Sequence, residues 1–195
     1  MVIGDVQGKG SAAATLTALA RYTVRAGALT LRNPKQVLRA LNEAVIRESG
    51  ERFLTVCLMT LQPSRDGLRG RLCVAGHPLP FLIRANGEVS QIGRPGTLLG
   101  VVSEVDLSVV TFDLRSGDAI VMFTDGLIEA RRDNDQFGNH GVREVLESCA
   151  GLSPTQIVAA LEEAVTIHGR GEPRDDLAIL VLGRRPDVSP AALSV

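Results

Sequence analysis

Hydrophobic residues recur at helical spacing near both ends of the chain and form strand-like runs in its middle. Helices are predicted over residues 11–28, 34–49 and 141–149, and from residue 154 onward. The second helix begins at Asn33-Pro34, a capping residue followed by proline at the first helical position. The first helix carries few charges, so we expect it to be well buried.

Apolar runs predict strands over residues 53–61, 71–75, 81–84, 89–92, 107–114, 119–123 and 177–182. Val2 and Ile3 are interpreted as the end of a further buried strand at the start of the chain. The run that begins at Phe53 is almost continuously apolar, which is typical of a strand buried on both faces. Asn86-Gly87 separates two of the runs and is the strongest short signal for a β-hairpin.

The order of these elements is strand, two helices, a run of strands, two helices, strand. It lacks the regular βαβ alternation of a doubly wound parallel sheet. It favours an α+β fold in which helices cover an antiparallel core of two sheets. Neither a repeat nor a linker divides the chain, so we predict one domain over residues 1–185 and a disordered tail over residues 186–195.

Composition removes several classes of function. With 195 residues, 45% of them hydrophobic, the chain has enough apolar side chains for a core. Its net charge of −1 and its lack of a basic block argue against binding to nucleic acid or to an anionic membrane. No apolar run approaches the ~20 residues of a membrane span. Three separate cysteines without CxxC spacing, and no signal peptide, predict buried, reduced thiols in a cytoplasmic protein.

Aspartates stand at the ends of three predicted strands. Asp5 lies at the exit of the first, Asp125 follows the strand that ends at Phe123, and Asp175-Asp176 precedes the last strand. Each of them alone could be a turn residue or a helix cap. Together they suggest a metal site, because Mg²⁺ and Mn²⁺ prefer several carboxylate oxygens as ligands. Such a site suits the hydrolysis of a phosphate ester.

The glycines around Lys9 allow two nucleotide-binding interpretations, both of them weak. A P-loop needs GxxxxGK[ST], but Gly4 is one residue too close and Gly10 replaces the hydroxyl residue. The spacing Gly8-x-Gly10-x-x-Ala13 resembles a dinucleotide-binding turn, but the acidic residue expected at a second strand is absent because that region is predicted to be helical. We therefore expect these glycines to turn the chain sharply from a strand into the first helix.

Six motifs occur in an order that resembles a known family. They are Ile3-Gly-Asp-Val-Gln-Gly-Lys-Gly10, Ala75-Gly-His-Pro78, Pro95-Gly-Thr-Leu-Leu-Gly100, Phe123-Thr-Asp-Gly-Leu-Ile-Glu-Ala130, Phe137-Gly138 and Arg174-Asp-Asp-Leu-Ala-Ile-Leu180. Together they resemble the SpoIIE/RsbU-type phosphatase domain of the bacterial PPM (PP2C-like) family, over residues 2 to about 185. The resemblance implies an α-β-β-α sandwich with the activity of a metal-dependent protein serine/threonine phosphatase. It also implies phosphorylated anti-anti-sigma (STAS-domain) proteins as substrates, whose dephosphorylation frees a sigma factor by partner switching.

The same resemblance assigns roles to the aspartates. Asp5 would bridge two Mn²⁺ or Mg²⁺ ions, and the Val6 carbonyl would bind one of them. Asp125 and Asp175 would hold the other ion; Asp175 is preferred to Asp176 because the family ligand is the first of the pair. These residues would be catalytic through a metal-bound hydroxide that attacks phosphorus in line, without a phosphoenzyme.

Two other motif residues have more than one interpretation. His77 is a candidate general acid, since histidine is a usual acid–base residue, but its motif looks structural in this family. Gly126 is expected to allow the backbone to come close to the metals.

The sequence departs from the family pattern at its start. It contains no GGDFYD-like segment, which in the family lies on two strands before GDVxGKG and supplies an acid to the second metal. We therefore expect a domain without those first strands, in which the Asp125/Asp175 ion is held and the second ion binds weakly or not at all. An uncovered sheet edge would favour a homodimer, strand exchange or aggregation. The alternative function is a catalytically impaired module that binds a phosphoprotein or an anti-sigma partner.

Overall fold

A computed structural model describes residues 1–48, 52–132, 135–169 and 176–184 of the chain. The strands are β1 (Val2–Val6), β2 (Leu54–Ser64), β3 (Gly67–Ala75), β4 (Phe81–Ile83), β5 (Val89–Gln91), β6 (Val109–Leu114), β7 (Ala119–Phe123), β8 (Arg131–Arg132), β9 (Asp135–Gln136) and β10 (Ile179–Gly183). The helices are α1 (Ser11–Thr30), α2 (Pro34–Glu48), α3 (Asp125–Ile128), α4 (Gly138–Glu147) and α5 (Pro154–His168).

Two four-stranded sheets form the centre of the fold, in the orders β1-β2-β3-β6 and β10-β7-β4-β5. Every neighbouring pair of strands in these sheets is antiparallel. This arrangement confirms the predicted antiparallel core. It differs from the parallel sheet on which the nucleotide-binding interpretations depended.

Three apolar layers hold the elements together. The first lies between the β1-β2-β3-β6 sheet and helices α1 and α2, and includes Leu41 and Val56. The second lies between the other sheet and helices α4 and α5, and includes Val121 and Leu161. The third fills the space between the two sheets, where Met59 of β2 shares a cluster with other buried side chains of both sheets. The result is the α-β-β-α sandwich that the resemblance implied.

Local sequence signals account for several element boundaries. Ser153 and Gln156 form a reciprocal capping box at the start of α5, with Pro154 at its first turn. The hairpin predicted at Asn86-Gly87 joins β4 to β5, and β7 has the predicted bounds and is buried throughout. The β4–β5 hairpin is also tied to the turn before β7, because Arg84 forms an ion pair with buried Asp118 at 2.8 Å.

Some expectations were wrong. Only Ala13, Leu16 and Val24 of α1 are buried, so this helix is far more exposed than its scarcity of charges suggested. β1 continues to Val6, which places Asp5 inside the strand rather than beyond its exit. The pattern also missed the short helix α3 and the hairpin β8–β9.

Other expectations lie outside the described residues. These are the predicted end of α2 at residue 49 and the tail over residues 186–195. No helix in the described part of the chain is both long enough and apolar enough to cross a membrane.

Candidate metal centre

Asp5 projects from β1 at one end of the layer between the two sheets. Ile3, two residues earlier on the same strand, packs against the inter-sheet cluster, and side chains two apart on a strand share a face. Asp5 is exposed and lies opposite Thr55 of β2 in the antiparallel register. Beyond it, Gly8 and Gly10 have φ values of 98° and 82°, which confirms the predicted sharp turn into α1.

Asp125 reaches the same end of the sandwich from the other sheet. It follows β7 directly and is the first residue of α3, where its side chain is half-buried. The preceding residue, Thr124, is buried. Leu127 anchors α3 in the apolar layer beneath α4 and α5. The carboxylate therefore extends from a strand end that is fixed by packing.

Thr124 joins this strand end to the segment that carries the last aspartate pair. Its hydroxyl donates a hydrogen bond to the main-chain oxygen of Asp176 at 2.9 Å and accepts one from the amide of Ala178 at 2.9 Å. The Thr124 amide also donates to the Ala178 carbonyl. These three bonds hold the main chain after Asp175 beside Asp125.

Gly126 makes room for this contact. A Cβ atom at Gly126 would lie 2.8 Å from the main-chain oxygen of Asp176, which is closer than real Cβ atoms come to other heavy atoms. We expected this glycine to allow the backbone to approach a metal. In the structure, its missing side chain admits the Asp176 carbonyl.

His77 lies between the two sheets. Its side chain is buried, and its Nδ1 is hydrogen-bonded to the hydroxyl of Thr55 at 2.8 Å. Burial lowers the pKa of His77 to about 4, and a smaller effect of the Phe123 backbone opposes this shift. Its Nε2 atom makes no hydrogen bond within the described residues. The imidazole is therefore neutral at physiological pH.

The predicted ligands can now be placed. Asp5 and Val6 lie on β1, and Asp125 follows β7. Asp176 is exposed and lies two residues before Ala178. Asp175 lies outside the described residues. Within the described ranges, no three or more His, Cys, Asp or Glu side chains come together as a metal-binding group. The donors at this end of the sandwich are carboxylates and main-chain carbonyls, a set that fits a hard divalent cation.

Sequence reasoning missed two residues that build this site. In the sequence, Thr55 is only one position in an apolar strand, and Thr124 is only part of a motif. Their signal is a hydroxyl side chain inside or directly after an apolar run, since a buried hydroxyl requires a hydrogen-bond partner.

The cysteines take no part in the site. Cys57, Cys73 and Cys149 are buried and free, as predicted. Burial raises the pKa of Cys57 to about 12 and that of Cys73 to about 11. These thiols stay protonated and are poor nucleophiles.

Comparison with known proteins gives consistent results. The family model of Stage II sporulation protein E (SpoIIE) matches residues 1–185. The chain is 24% identical over 186 residues to the phosphoserine phosphatase RsbU of Bacillus subtilis (strain 168), covering 95% of this chain and 55% of RsbU. It thus spans only about half the length of that relative.

Solved structures share the fold. The RsbU and RsbW domains of Rv1364c from Mycobacterium tuberculosis superpose with a TM-score of 0.76 at 26% identity, covering 96% of this chain and 52% of that chain. The SiaA-PP2C domain of Pseudomonas aeruginosa superposes with a TM-score of 0.80 at 19% identity, covering 95% of this chain and 74% of that chain.

Proposed function

This chain belongs to the Stage II sporulation protein E (SpoIIE) family, and we propose that it is a metal-dependent protein serine/threonine phosphatase. The observation that carries the proposal is the attachment of the segment after Asp175 to the strand end that bears Asp125. The hydroxyl of Thr124 makes that attachment through two hydrogen bonds. These bonds hold the main chain of Asp176 beside the strand end that bears Asp125.

Each part of the chain has a definite task in this proposal. Asp125 and Asp175 would hold one Mn²⁺ or Mg²⁺ ion, and Asp5 with the Val6 carbonyl would complete the centre. When bound, such ions activate water for attack on phosphorus and neutralise charge on the phosphoryl group. Thr124 keeps the acidic segments together, so that the ligands need little rearrangement before they bind a metal.

We further propose phosphoserine or phosphothreonine on a cytoplasmic STAS-domain anti-anti-sigma protein as the substrate. Support comes from RsbU, a relative that is named a phosphoserine phosphatase, and from Rv1364c, in which an RsbU domain and an RsbW domain share one chain. Removal of the phosphate would change which partner the STAS protein binds.

The test is hydrolysis of a phosphoserine-phosphorylated STAS protein by the full chain with Mn²⁺, with Mg²⁺ and with EDTA. We expect phosphate release that requires the metal, and a loss of at least a hundredfold in Asp125→Asn. Asp106→Asn is a matched control, because Asp106 is an exposed carboxylate in the connection between β5 and β6. Metal-independent release, or equal rates in the two variants, would contradict the proposal.

The alternative is a catalytically impaired module that binds a phosphoprotein or an anti-sigma partner. It predicts that the chain captures the phosphorylated STAS protein without releasing phosphate. The same assay, combined with a pull-down of the phosphorylated and unphosphorylated STAS protein, separates the two functions.

A further inference from the structure

His77 occupies the connection that crosses from one sheet to the other. Ala75 ends β3 in the first sheet and Phe81 begins β4 in the second. Gly76, next to His77, forms a parallel bridge with Val56 of β2. The imidazole is therefore held between the sheets, with only 6% of its surface exposed.

One side of the imidazole is attached to the strand pair that presents Asp5. His77 Nδ1 and Thr55 Oγ1 are 2.8 Å apart, and Thr55 is the direct register partner of Asp5. The position of Asp5 relative to the second sheet thus depends on where this hydrogen bond places β2.

The connection that carries His77 leads into β4, and β4 pairs with β7, the strand that precedes Asp125. Phe123 is the last residue of β7, two positions before Asp125. Its side chain stacks on Phe81 with ring centroids 6.1 Å apart. His77 is therefore bonded to the residue opposite Asp5, and its connection ends at Phe81, which packs against the strand end that precedes Asp125.

We propose that His77 is a positioning residue that sets the spacing between the Asp5 strand and the Asp125 strand end, through its hydrogen bond to Thr55 and its place in the connection that leads to β4 beside β7. The inference rests on the proposed function, because that spacing matters only if both carboxylates serve one metal centre. β1 and β7 belong to different sheets and share no hydrogen-bond ladder. A metal centre tolerates displacements of only about 0.5 Å.

The test measures the affinity of the full chain for Mn²⁺ by isothermal titration calorimetry, with thermal unfolding recorded for every variant. Thr55→Val removes only the hydroxyl, and Thr60→Val is its matched control on the same strand. His77→Leu removes both ring nitrogens at similar volume. His77→Asn keeps a polar atom near the Nδ1 position that can still bond to Thr55.

We expect Thr55→Val and His77→Leu to bind Mn²⁺ about 10- to 100-fold more weakly, as is typical when residues that orient metal ligands are lost. Thr60→Val should bind like the wild type, and His77→Asn should recover most of the affinity that His77→Leu loses. If Thr55 and His77 had a purely structural role, their substitution would lower the melting temperature of the folded variants without changing the affinity for Mn²⁺.

Three results would overturn the inference. The first is unchanged Mn²⁺ affinity in folded His77→Leu and Thr55→Val. The second is slower phosphate release at unchanged affinity, which would make His77 a general acid instead. In both cases the wild type still binds Mn²⁺ and the proposed function stands. The third is a wild type that binds no Mn²⁺, which overturns the proposed function together with this inference.

Discussion

The hydroxyl of Thr124 offers the sharpest test of how the site is assembled. Thr124→Val has nearly the same shape as threonine but loses the bond to the Asp176 oxygen and the bond from the Ala178 amide. Each such bond contributes about 1 kcal/mol net. Because Ala178 is exposed, water replaces part of the loss, so we expect the variant to be destabilised by about 1–2 kcal/mol.

Thr124→Ser is the matched control. It keeps both hydrogen bonds and loses one buried methyl group, which costs about 1 kcal/mol. The two variants should therefore have similar free energies of unfolding in urea but different affinities for Mn²⁺. In Thr124→Val, binding of Mn²⁺ must also order the segment after Asp175. We expect this ordering to cost about 1.4 kcal/mol, which weakens Mn²⁺ binding by about tenfold.

Calorimetric titration with Mn²⁺, paired with urea unfolding monitored by circular dichroism, measures both quantities. Thr124→Ser should bind Mn²⁺ within about twofold of the wild type, since the segment stays attached. Equal Mn²⁺ affinity in the valine and serine variants would show that the attachment has no effect on the metal centre.

Four further predictions concern Gly126, Asp118, His77 and the exposed edge at β1. Gly126→Ala would place a methyl group 2.8 Å from a main-chain oxygen, so its Mn²⁺ affinity should fall while a far-UV spectrum shows an intact fold. Asp118→Ala removes a buried carboxylate that forms an ion pair and accepts two main-chain hydrogen bonds. Urea unfolding should show that the free energy of unfolding falls by about 3 kcal/mol. The pKa of His77 is lowered to about 4, so between about pH 6.5 and 4 the unfolded chain binds a proton that the folded chain does not. The free energy of unfolding should therefore fall by about 2 kcal/mol from pH 7 to 4.5. His77→Asn should lose that part of the pH dependence. Within the described residues β1 pairs with β2 alone, and Val2 on this edge strand is 46% exposed. Because an exposed apolar edge strand can pair with another chain, the wild type should self-associate in sedimentation velocity and Val2→Lys should not.

Much of the sandwich can be predicted from the sequence because its strands are marked by apolar runs. The five apolar residues of β7 predict its bounds, and Asn86-Gly87 predicts the adjacent hairpin. Asp5 and Asp125 stand out as candidate ligands because charged residues interrupt or end such runs. These signals are local, so a single sequence contains them.

The contacts that assemble the site are not local. Thr124 and Ala178 are 54 residues apart, and Thr55 and His77 are 22 apart. Nothing in the spacing of apolar residues indicates these pairs. The exposure of α1 has a similar cause: its sequence gives the length of the helix, whereas its burial depends on which elements pack against it.

Hydrolysis of p-nitrophenyl phosphate by the full chain, titrated with Mn²⁺ in the wild type and in Asp125→Ala, shows whether the chain is a phosphatase that depends on a metal at Asp125. We expect a rate that rises with Mn²⁺ to a plateau in the wild type and stays at background in the variant. A wild-type rate that is independent of Mn²⁺, or an Asp125→Ala variant as active as the wild type, would contradict this expectation.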